Sequence, residues 1–576
     1  MTQEFDFIVV GGGSAGAVIA ARLSEDPTCH VALVEAGDRP PEHELMPVAC
    51  ASLQNDPATD WMYTADPGRA GLGLRDRRMQ VPRGKMLGGS SGINYMAYVR
   101  GHPGDFDAWS EGGALGWSFD EVLPYFQKSE GLVPSDEITL DHDAHGKEGP
   151  LGVSVRSPVL QASLDFVTAA GAIGIPPGDY NGRYRGGPTG VASLFQTTTR
   201  DGKRCSTYRA FLEGKTEERP NLTIITQAQV TRVILDETAD ELCATGVEFQ
   251  CRDGNCETIS ASREVILCAG AIGSPHILML SGIGSRQEIE TAGVTCVLDL
   301  PDVGKHLKDH LYCALTFPAP GIGISRADIE DSLEGWNRDG MGLASSSLYD
   351  ATVFFSTGLG DQHSHDAQIG LSVAIESEDE ARSLFRIDPQ DFYSDVTQMT
   401  SDKSEGISLL ANPVLPHSQG EIILVSGDPE VPPEINMNYF ADPHDLTVMV
   451  AVMRRSLELA ERWPGPHRLG LVNIPPKLAA KHDHIPGQSP SDALLEDIAL
   501  HYSLTVYHLS CTCRIGDVVD RALRVNGVSK LSIADASVMP EIVSGNTNAA
   551  AIMIGEKAAE MIARRCNVQL SEFVGR

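Results

Sequence analysis

The chain has 576 residues, 42% hydrophobic and 21% charged, the balance of a globular protein, with length for about three or four units of common domain size. Its 78 acidic against 45 basic residues give a formal charge of −33, which argues against a nucleic-acid partner or an anionic membrane surface. Twelve scattered cysteines form no C-x-x-C pair, no apolar run is long enough to span a bilayer, and no basic segment with an apolar core precedes the first strand. Reduced thiols, a cytoplasmic setting and no metal site are therefore expected.

Phe5-Asp6-Phe7-Ile8-Val9-Val10 predicts a strand entering the turn Gly11-Gly12-Gly13-Ser14-Ala15-Gly16; a helix follows, then a second strand, Val31-Ala32-Leu33-Val34, that closes on Glu35 and Ala36. In such a unit Gly11 makes the tight turn, Gly13 lets the backbone approach a pyrophosphate, and Gly16 lets the helix pack on the sheet. The phosphates sit on the helix N-terminus, and Glu35 has the spacing of a carboxylate that accepts from a ribose diol and repels a 2′-phosphate. The ligand is an adenine dinucleotide without that phosphate, FAD or NAD. A bare glycine fingerprint arises by chance at many helix entries; here the two strands and the acid frame it.

Residues 82–94 follow, Pro82-Arg83-Gly84-Lys85-Met86-Leu87-Gly88-Gly89-Ser90-Ser91-Gly92-Ile93-Asn94, whose glycines and serines predict a loop that wraps something. Asp141-His142-Asp143-Ala144-His145 has possible metal ligands but runs into a glycine turn and reads as a polar surface loop. Strands are expected at residues 222–225, 230–234, 244–250 and 265–268, the last running into a second glycine turn, Ala269-Gly270-Ala271-Ile272-Gly273-Ser274-Pro275. Residues 312–503 change character, with glycine-rich loops at 318–342, a strand near 422–425 and a helix at 449–461. The acid cluster Glu376-Ser377-Glu378-Asp379-Glu380 reads as solvated surface. The end of the chain resumes the strand, turn and helix pattern of its beginning. Leu531-Ser532-Ile533-Ala534 puts Asp535 and Ala536 at the carboxyl end of a strand, and Asn546-Thr547-Asn548 precedes a strong helix pattern at 549–562.

Together these motifs resemble the glucose–methanol–choline family of FAD-dependent oxidoreductases over nearly the full length, with residues 84–94 and 270–284 matching its two long signatures. The resemblance implies an α/β fold: a Rossmann-like FAD-binding domain (1–157, 206–311 and 504–576) interleaved with an α+β substrate domain built on an antiparallel sheet (158–205 and 312–503). It implies FAD held by Gly11, Gly13, Ser14, Ala15, Gly16, Glu35 and Ala36 at the ADP half, and by Val230 at the adenine. Gly88, Ser91, Asn94 and Ala97 lie along the wrapping loop, and Asp535, Ala536 and Asn548 complete the far side. Ile93 stands where some relatives attach FAD through a histidine, so noncovalent FAD is expected. Thr505-Val506-Tyr507-His508-Leu509-Ser510-Cys511-Thr512-Cys513-Arg514 resembles the family's histidine motif, and Asn546 matches the second catalytic position. The activity implied is oxidation of an alcohol by hydride transfer to flavin N5, with His508 as base.

An ordinary buried histidine and an ordinary helix cap are the bland readings of His508 and of Asn546-Thr547-Asn548. The segment departs from the family pattern in having Leu509 and Cys511 where proline and glycine are usual, and Cys511 and Cys513 are expected on one face of a strand. Asp309-His310-Leu311 is followed by Tyr312 rather than the acid of choline-oxidising relatives, which argues against choline. No cysteine lies between Cys313 and Cys511, where the family's light-driven decarboxylases need one. Motifs alone do not separate an alcohol oxidoreductase from a hydroxynitrile lyase of the same fold, nor an oxidase using oxygen from a dehydrogenase using a quinone. Their resemblance to bacterial alcohol dehydrogenases favours the dehydrogenase.

Overall fold

The computed structural model describes residues 3–183, 189–214, 216–238, 241–360, 364–465 and 468–571. Five strands lie parallel in the order Leu222–Ile225, Val31–Val34, Gln3–Val10, Cys256–Leu267 and Leu531–Ile533. The long strand Cys256–Leu267 serves two structures, because its first half also closes the antiparallel meander Ala228–Asp236 and Cys243–Cys251. Parallel strands covered on both faces must be apolar throughout, and Val31–Val34 and residues 265–267 are wholly buried.

The two ends of the chain meet on this sheet. Helices Gly16–Leu23 and Asn548–Cys566 pack together so closely that a Cβ on Gly555 would come within 2.8 Å of the Ala15 carbonyl oxygen, and Arg22 pairs with buried Glu556 at 2.6 Å. Small residues permit the approach and the ion pair fixes its register.

A second, antiparallel sheet of six strands runs in the order Leu504–Thr505, Leu311–Pro318, Gly406–Pro413, Ala367–Ser372, Tyr349–Phe355 and Val191–Leu194, backed by helix Pro443–Glu461. A four-stranded sheet joins Tyr63–Gly68 and Met79–Val81 to Glu421–Ile423 and Glu434–Tyr439, stitching early segments of the chain to late ones.

Two local expectations are corrected. The glycine-rich stretch 318–342 contains helix Arg326–Asp339: Ser325 and Asp328 form a capping box, and Gly340, with φ of +73°, ends it. Its apolar stripe is narrow, Ile329, Leu333 and Trp336 at helical spacing and none of them fully buried, and the glycines on either side dominate the sequence reading. In the loop 141–145, His145 is not at the surface. Its ring sits between Glu130 Oε1 and Asp179 Oδ2, each at 2.8 Å, and Glu130 also takes Arg100 at 2.6 Å. Burial works against charge on His145, but the hydrogen bonds to Asp179 and Glu130 outweigh it and hold its pKa above the ordinary imidazole value.

Candidate active site

The turn after strand Gln3–Val10 needs its first and last glycines for packing. Gly11 has φ of +97° and a Cβ there would stand 2.6 Å from the Cys268 carbonyl oxygen; a Cβ on Gly16 would lie 1.9 Å from the Gly11 carbonyl oxygen. Gly13 differs: nothing lies nearer than the Gly89 Cα at 3.9 Å, and its backbone lines a cavity of about 670 Å³ that reaches from the meander to His508. Helix Gly16–Leu23 starts from Ala15 and helix Asn548–Cys566 from Thr547, neither with a side-chain cap, and both ends open on this cavity. Free N–H groups and the positive ends of two helix dipoles suit an anionic ligand.

Glu35 lines the same cavity, with Oε2 accepting from Gly12 N at 2.7 Å and Oε1 from Gly37 N at 2.8 Å, which leaves lone pairs for a diol. Burial pushes its carboxyl up to about 7. Asp535 is gripped by the second glycine turn, accepting from Gly270 N at 2.9 Å, Ser274 Oγ at 2.6 Å and Ser537 N at 2.8 Å. The bare Gly13 backbone, the two open helix ends and the carboxylate at one end fit an adenine dinucleotide.

Among the residues implied by resemblance, Gly11, Gly13, Ser14, Ala15, Glu35, Ala36, Asn94, Ala97, Val230, Asp535, Ala536, Asn548, His508 and Asn546 all lie on the cavity wall. Gly16, Gly88 and Ser91 do not; among the loop residues, Gly89, Ser90 and Ile93 stand there instead. Gly88 donates its N–H to the Gly12 carbonyl, and Ser91 Oγ donates to the Gly88 carbonyl at 2.5 Å while accepting from Thr207 N at 2.9 Å. Gly88 thus ties the loop to the glycine turn, and Ser91 ties it to Thr207.

His508 is held by residues far from it in sequence. Val506 N donates to the His310 carbonyl, and Lys308 and Ser510 exchange two backbone bonds, so residues 308–312 and 504–510 run side by side. Between these bonds the backbone swings out, with φ of +66° at Tyr507, and buried Asp309 fills the gap. Its Oδ1 accepts from His508 N at 2.6 Å, and its Oδ2 from Thr505 Oγ1 and Tyr439 Oη, both at 2.5 Å. Arg83 donates to the Tyr507 carbonyl at 2.7 Å from the other side.

The ring's tautomer follows from a chain of partners. The Val414 carbonyl, 3.0 Å from His310 Nε2, can only accept, so that nitrogen carries the hydrogen. Burial pushes His310 down to about 3, so the ring is neutral and its Nδ1 is an acceptor. His508 Nδ1, 2.9 Å away, must donate to it. His508 Nε2 is left unprotonated, its lone pair accepting from Asn546 Nδ2 at 3.1 Å on the cavity wall. Burial, and after it the neighbouring His310 and Arg83, hold His508 well below the usual imidazole value.

Neither asparagine before the last helix caps it. Thr547 is the N-cap, without a side-chain bond; Asn546 reaches His508, and Asn548 Oδ1 accepts from Ser14 Oγ at 2.7 Å. Cys511 and Cys513 do not alternate on a strand, because the chain turns there and Cys511 has φ of +71°. That left-handed backbone is where glycine costs nothing and a side chain costs about 1 kcal/mol. Cys511 is buried off the cavity wall, its Sγ 3.5 Å from Ser510 Oγ. Glu376, at the head of the acid cluster expected at the surface, lines the cavity. The roles of Asp309, His310, Arg83 and Glu376 were not read from the sequence. One signal was available for the first two: Lys308-Asp309-His310 puts three polar residues directly before an apolar strand, and all three are buried.

A parallel sheet whose glycine turns line a cavity fit for a dinucleotide, with an antiparallel sheet bringing a histidine to the same cavity, is the arrangement of a dinucleotide-dependent enzyme. The GMC oxidoreductase family model matches residues 5–312 in its N-terminal part and 416–555 in its C-terminal part. The chain is 34% identical to an alcohol dehydrogenase [acceptor] of Pseudomonas putida, over 98% of this chain and 96% of the relative. It is also 34% identical to an oxygen-dependent choline dehydrogenase of Ectopseudomonas mendocina, over 98% and 95%. Among solved structures, a pyridoxine 4-oxidase from Mesorbium loti superposes with a TM-score of 0.78 at 28% identity, covering 96% of this chain and 98% of that one. The chain belongs to the GMC oxidoreductase family and is an FAD-dependent enzyme. No helix among the described residues is long and apolar enough to cross a membrane.

Proposed function

We propose that this enzyme oxidises a primary or secondary alcohol to the aldehyde or ketone, with His508 Nε2 accepting the hydroxyl proton and Asn546 Nδ2 donating to the same oxygen. The observation that carries the reading is the partner chain from Val414 through His310 to His508, which leaves Nε2 unprotonated beside an amide donor on the cavity wall. Bound FAD supplies the two-electron acceptor for the hydride.

An alcohol with a pKa of about 16 facing an imidazole of about 6.5 makes full proton transfer uphill by roughly 13 kcal/mol. The depressed pKa of His508 makes that transfer harder still. His508 therefore accepts the proton as the hydride departs, not before. His310 keeps the ring in one tautomer, and Asp309 and Arg83 fix the backbone that carries it. Asn546 stabilises charge building on the oxygen.

The fourteen cavity residues above hold the dinucleotide and the reacting oxygen, and Gly16, Gly88 and Ser91 support them. Ile93, buried on the wall, offers no nucleophilic atom, which supports noncovalent FAD. The FAD-binding part is assigned to 1–157, 206–311 and 504–576, and the substrate part to 158–205 and 312–503. Twelve free thiols favour the reducing cytoplasm. A dehydrogenase using a quinone is preferred to an oxidase.

Mixing the enzyme with aliphatic and aromatic alcohols without oxygen should bleach the flavin absorbance, and acid should release intact FAD. No bleaching across the panel, with cleavage of cyanohydrins instead, overturns the reading in favour of a lyase. Rapid reoxidation by air with stoichiometric hydrogen peroxide makes the enzyme an oxidase.

A further inference from the structure

The loop that ends at Asn94 is held by a buried cation. Arg204 closes the short hairpin of strands Thr199–Arg200 and Lys203–Arg204, and the residue is only 2% exposed. Its Nε donates to the Glu44 carbonyl at 3.0 Å; its Nη1 donates to the Asn94 carbonyl at 2.7 Å, to Asn94 Oδ1 at 3.0 Å and to the Ser91 carbonyl at 3.3 Å. All of these acceptors are neutral. Glu44 attracts the guanidinium from a distance, but its carboxylate pairs with Arg209 at 3.1 Å, and no acid among the described residues forms an ion pair with Arg204. Burial therefore pulls its pKa below the ordinary arginine value.

The side chain that this cation holds lies on the cavity wall. Asn94 lines the cavity, and its Oδ1 accepts a second hydrogen bond, from Met96 N at 3.0 Å, where the backbone turns through a φ of +62°. Two donors on the oxygen leave the amide one orientation. A flip would set Nδ2 against the guanidinium and the Met96 N–H, donor facing donor. Asn94 Nδ2 is left with no partner among the described residues. Its two N–H groups are thereby kept for a ligand that brings acceptors, as the phosphate oxygens and ring carbonyls of FAD do.

Resting on the placement of FAD in this cavity, we propose that Arg204 is a positioning residue for the cofactor: it locks the Asn94 amide with its oxygen turned away from FAD, so that Asn94 meets the dinucleotide as a donor only. A carboxamide free to rotate would also offer its oxygen, whose lone pairs repel those of a phosphate or a carbonyl. The charge on Arg204 matters as well as its shape, because a charge-assisted hydrogen bond holds the oxygen more firmly than a neutral donor would. Arg204 lies off the cavity wall and reaches FAD through Asn94.

The test measures the FAD dissociation constant of the flavin-stripped full chain by fluorescence titration, with its melting temperature as the control for folding. Asn94→Ala should weaken FAD binding by about tenfold. Arg204→Lys keeps the charge but lacks the planar fork that reaches Glu44 and Asn94 together, and should weaken binding by about five- to tenfold. Because the one residue acts through the other, adding Arg204→Lys to Asn94→Ala should bring no more than about a further twofold loss. Asn94→Asp gives the buried guanidinium a countercharge and replaces the donor by an oxygen. It should melt no lower than the unsubstituted protein and bind FAD about tenfold more weakly, or worse. Unchanged FAD binding by Asn94→Ala would remove Asn94 from the cofactor site, and the proposal with it. A loss from Arg204→Lys that is the same with and without Asn94→Ala would keep Asn94 at the cofactor and overturn the positioning role, making Arg204 a clamp of the loop alone. Full FAD affinity in Asn94→Asp or in Arg204→Lys would overturn it too.

Discussion

Two buried histidine sites in this molecule are pushed in opposite directions. His145 lies between Glu130 and Asp179 with Arg100 behind, and its pKa is raised; His508 lies against His310 and Asn546, with Arg83 nearby, and its pKa is lowered. Burial acts the same way on both and favours the neutral ring. The partners decide the outcome: carboxylates on both ring nitrogens of His145 raise its pKa and tie a loop to the fold. A neutral imidazole accepts from one nitrogen of His508 and leaves the other unprotonated beside the Asn546 amide. One ring is stabilised toward holding a proton and the other against it.

The strongest way to break this contrast is His508→Ala, which should retain FAD absorbance while slowing anaerobic flavin reduction by about 10²- to 10⁴-fold, the range for loss of a general base. An unfolded or colourless variant would return His508 to the status of a core residue. Asn546→Ala should slow reduction by about 10²-fold at most, the loss of one donor to the reacting oxygen. Because Thr547, not Asn546, begins the last helix, the melting temperature should stay close to that of the unsubstituted protein. Normal turnover with a lowered melting temperature would make Asn546 purely structural.

His310→Leu sharpens the contrast by removing the acceptor that sets the tautomer. Reduction should slow by about 10- to 100-fold, the range for removing the partner that orients a functional histidine. Unchanged rates would mean that the tautomer is fixed by Asn546 alone.

The smallest effects appear in stability against pH, with opposite signs. His310, at about 3 folded against 6.5 unfolded, contributes stability that is present above 6.5 and lost as pH falls toward 3. His145, raised above 6.5, contributes stability that is full below 6.5 and lost as pH rises through its folded value. Melting curves of His145→Gln should therefore lose part of the decline on the alkaline side, and those of His310→Leu part of the decline on the acid side. The same slope in variant and unsubstituted protein on the relevant side would dismiss the assignment of charge.

The dinucleotide end of the site was legible because its determinants are local. Gly11, Gly13 and Gly16 lie within six residues and answer to backbone conformation and close approach, which a glycine shows wherever it stands. The helix at Arg326–Asp339 was missed although Ser325, Asp328 and Gly340 mark its ends, because its apolar stripe is only Ile329, Leu333 and Trp336, set among charged residues and flanking glycines. His508 and Asn546 could be named by resemblance, but what makes them reactive could not.

Local sequence was enough for the class of fold, for the order of strand, glycine turn and helix at both ends of the chain, and for the kind of ligand the first turn accepts. These depend on φ angles, apolar runs and charges that act over a few residues. Long-range packing alone settles that His310, 198 residues from His508, fixes which ring nitrogen is bare, that Asp309 anchors the backbone beside it, and that Glu376 faces inward while the rest of its acid cluster starts a helix. A tautomer depends on which acceptor lies within hydrogen-bond reach, and a carboxylate's meaning depends on whether water or a cavity surrounds it; both are properties of packing, which no single stretch of this chain contains.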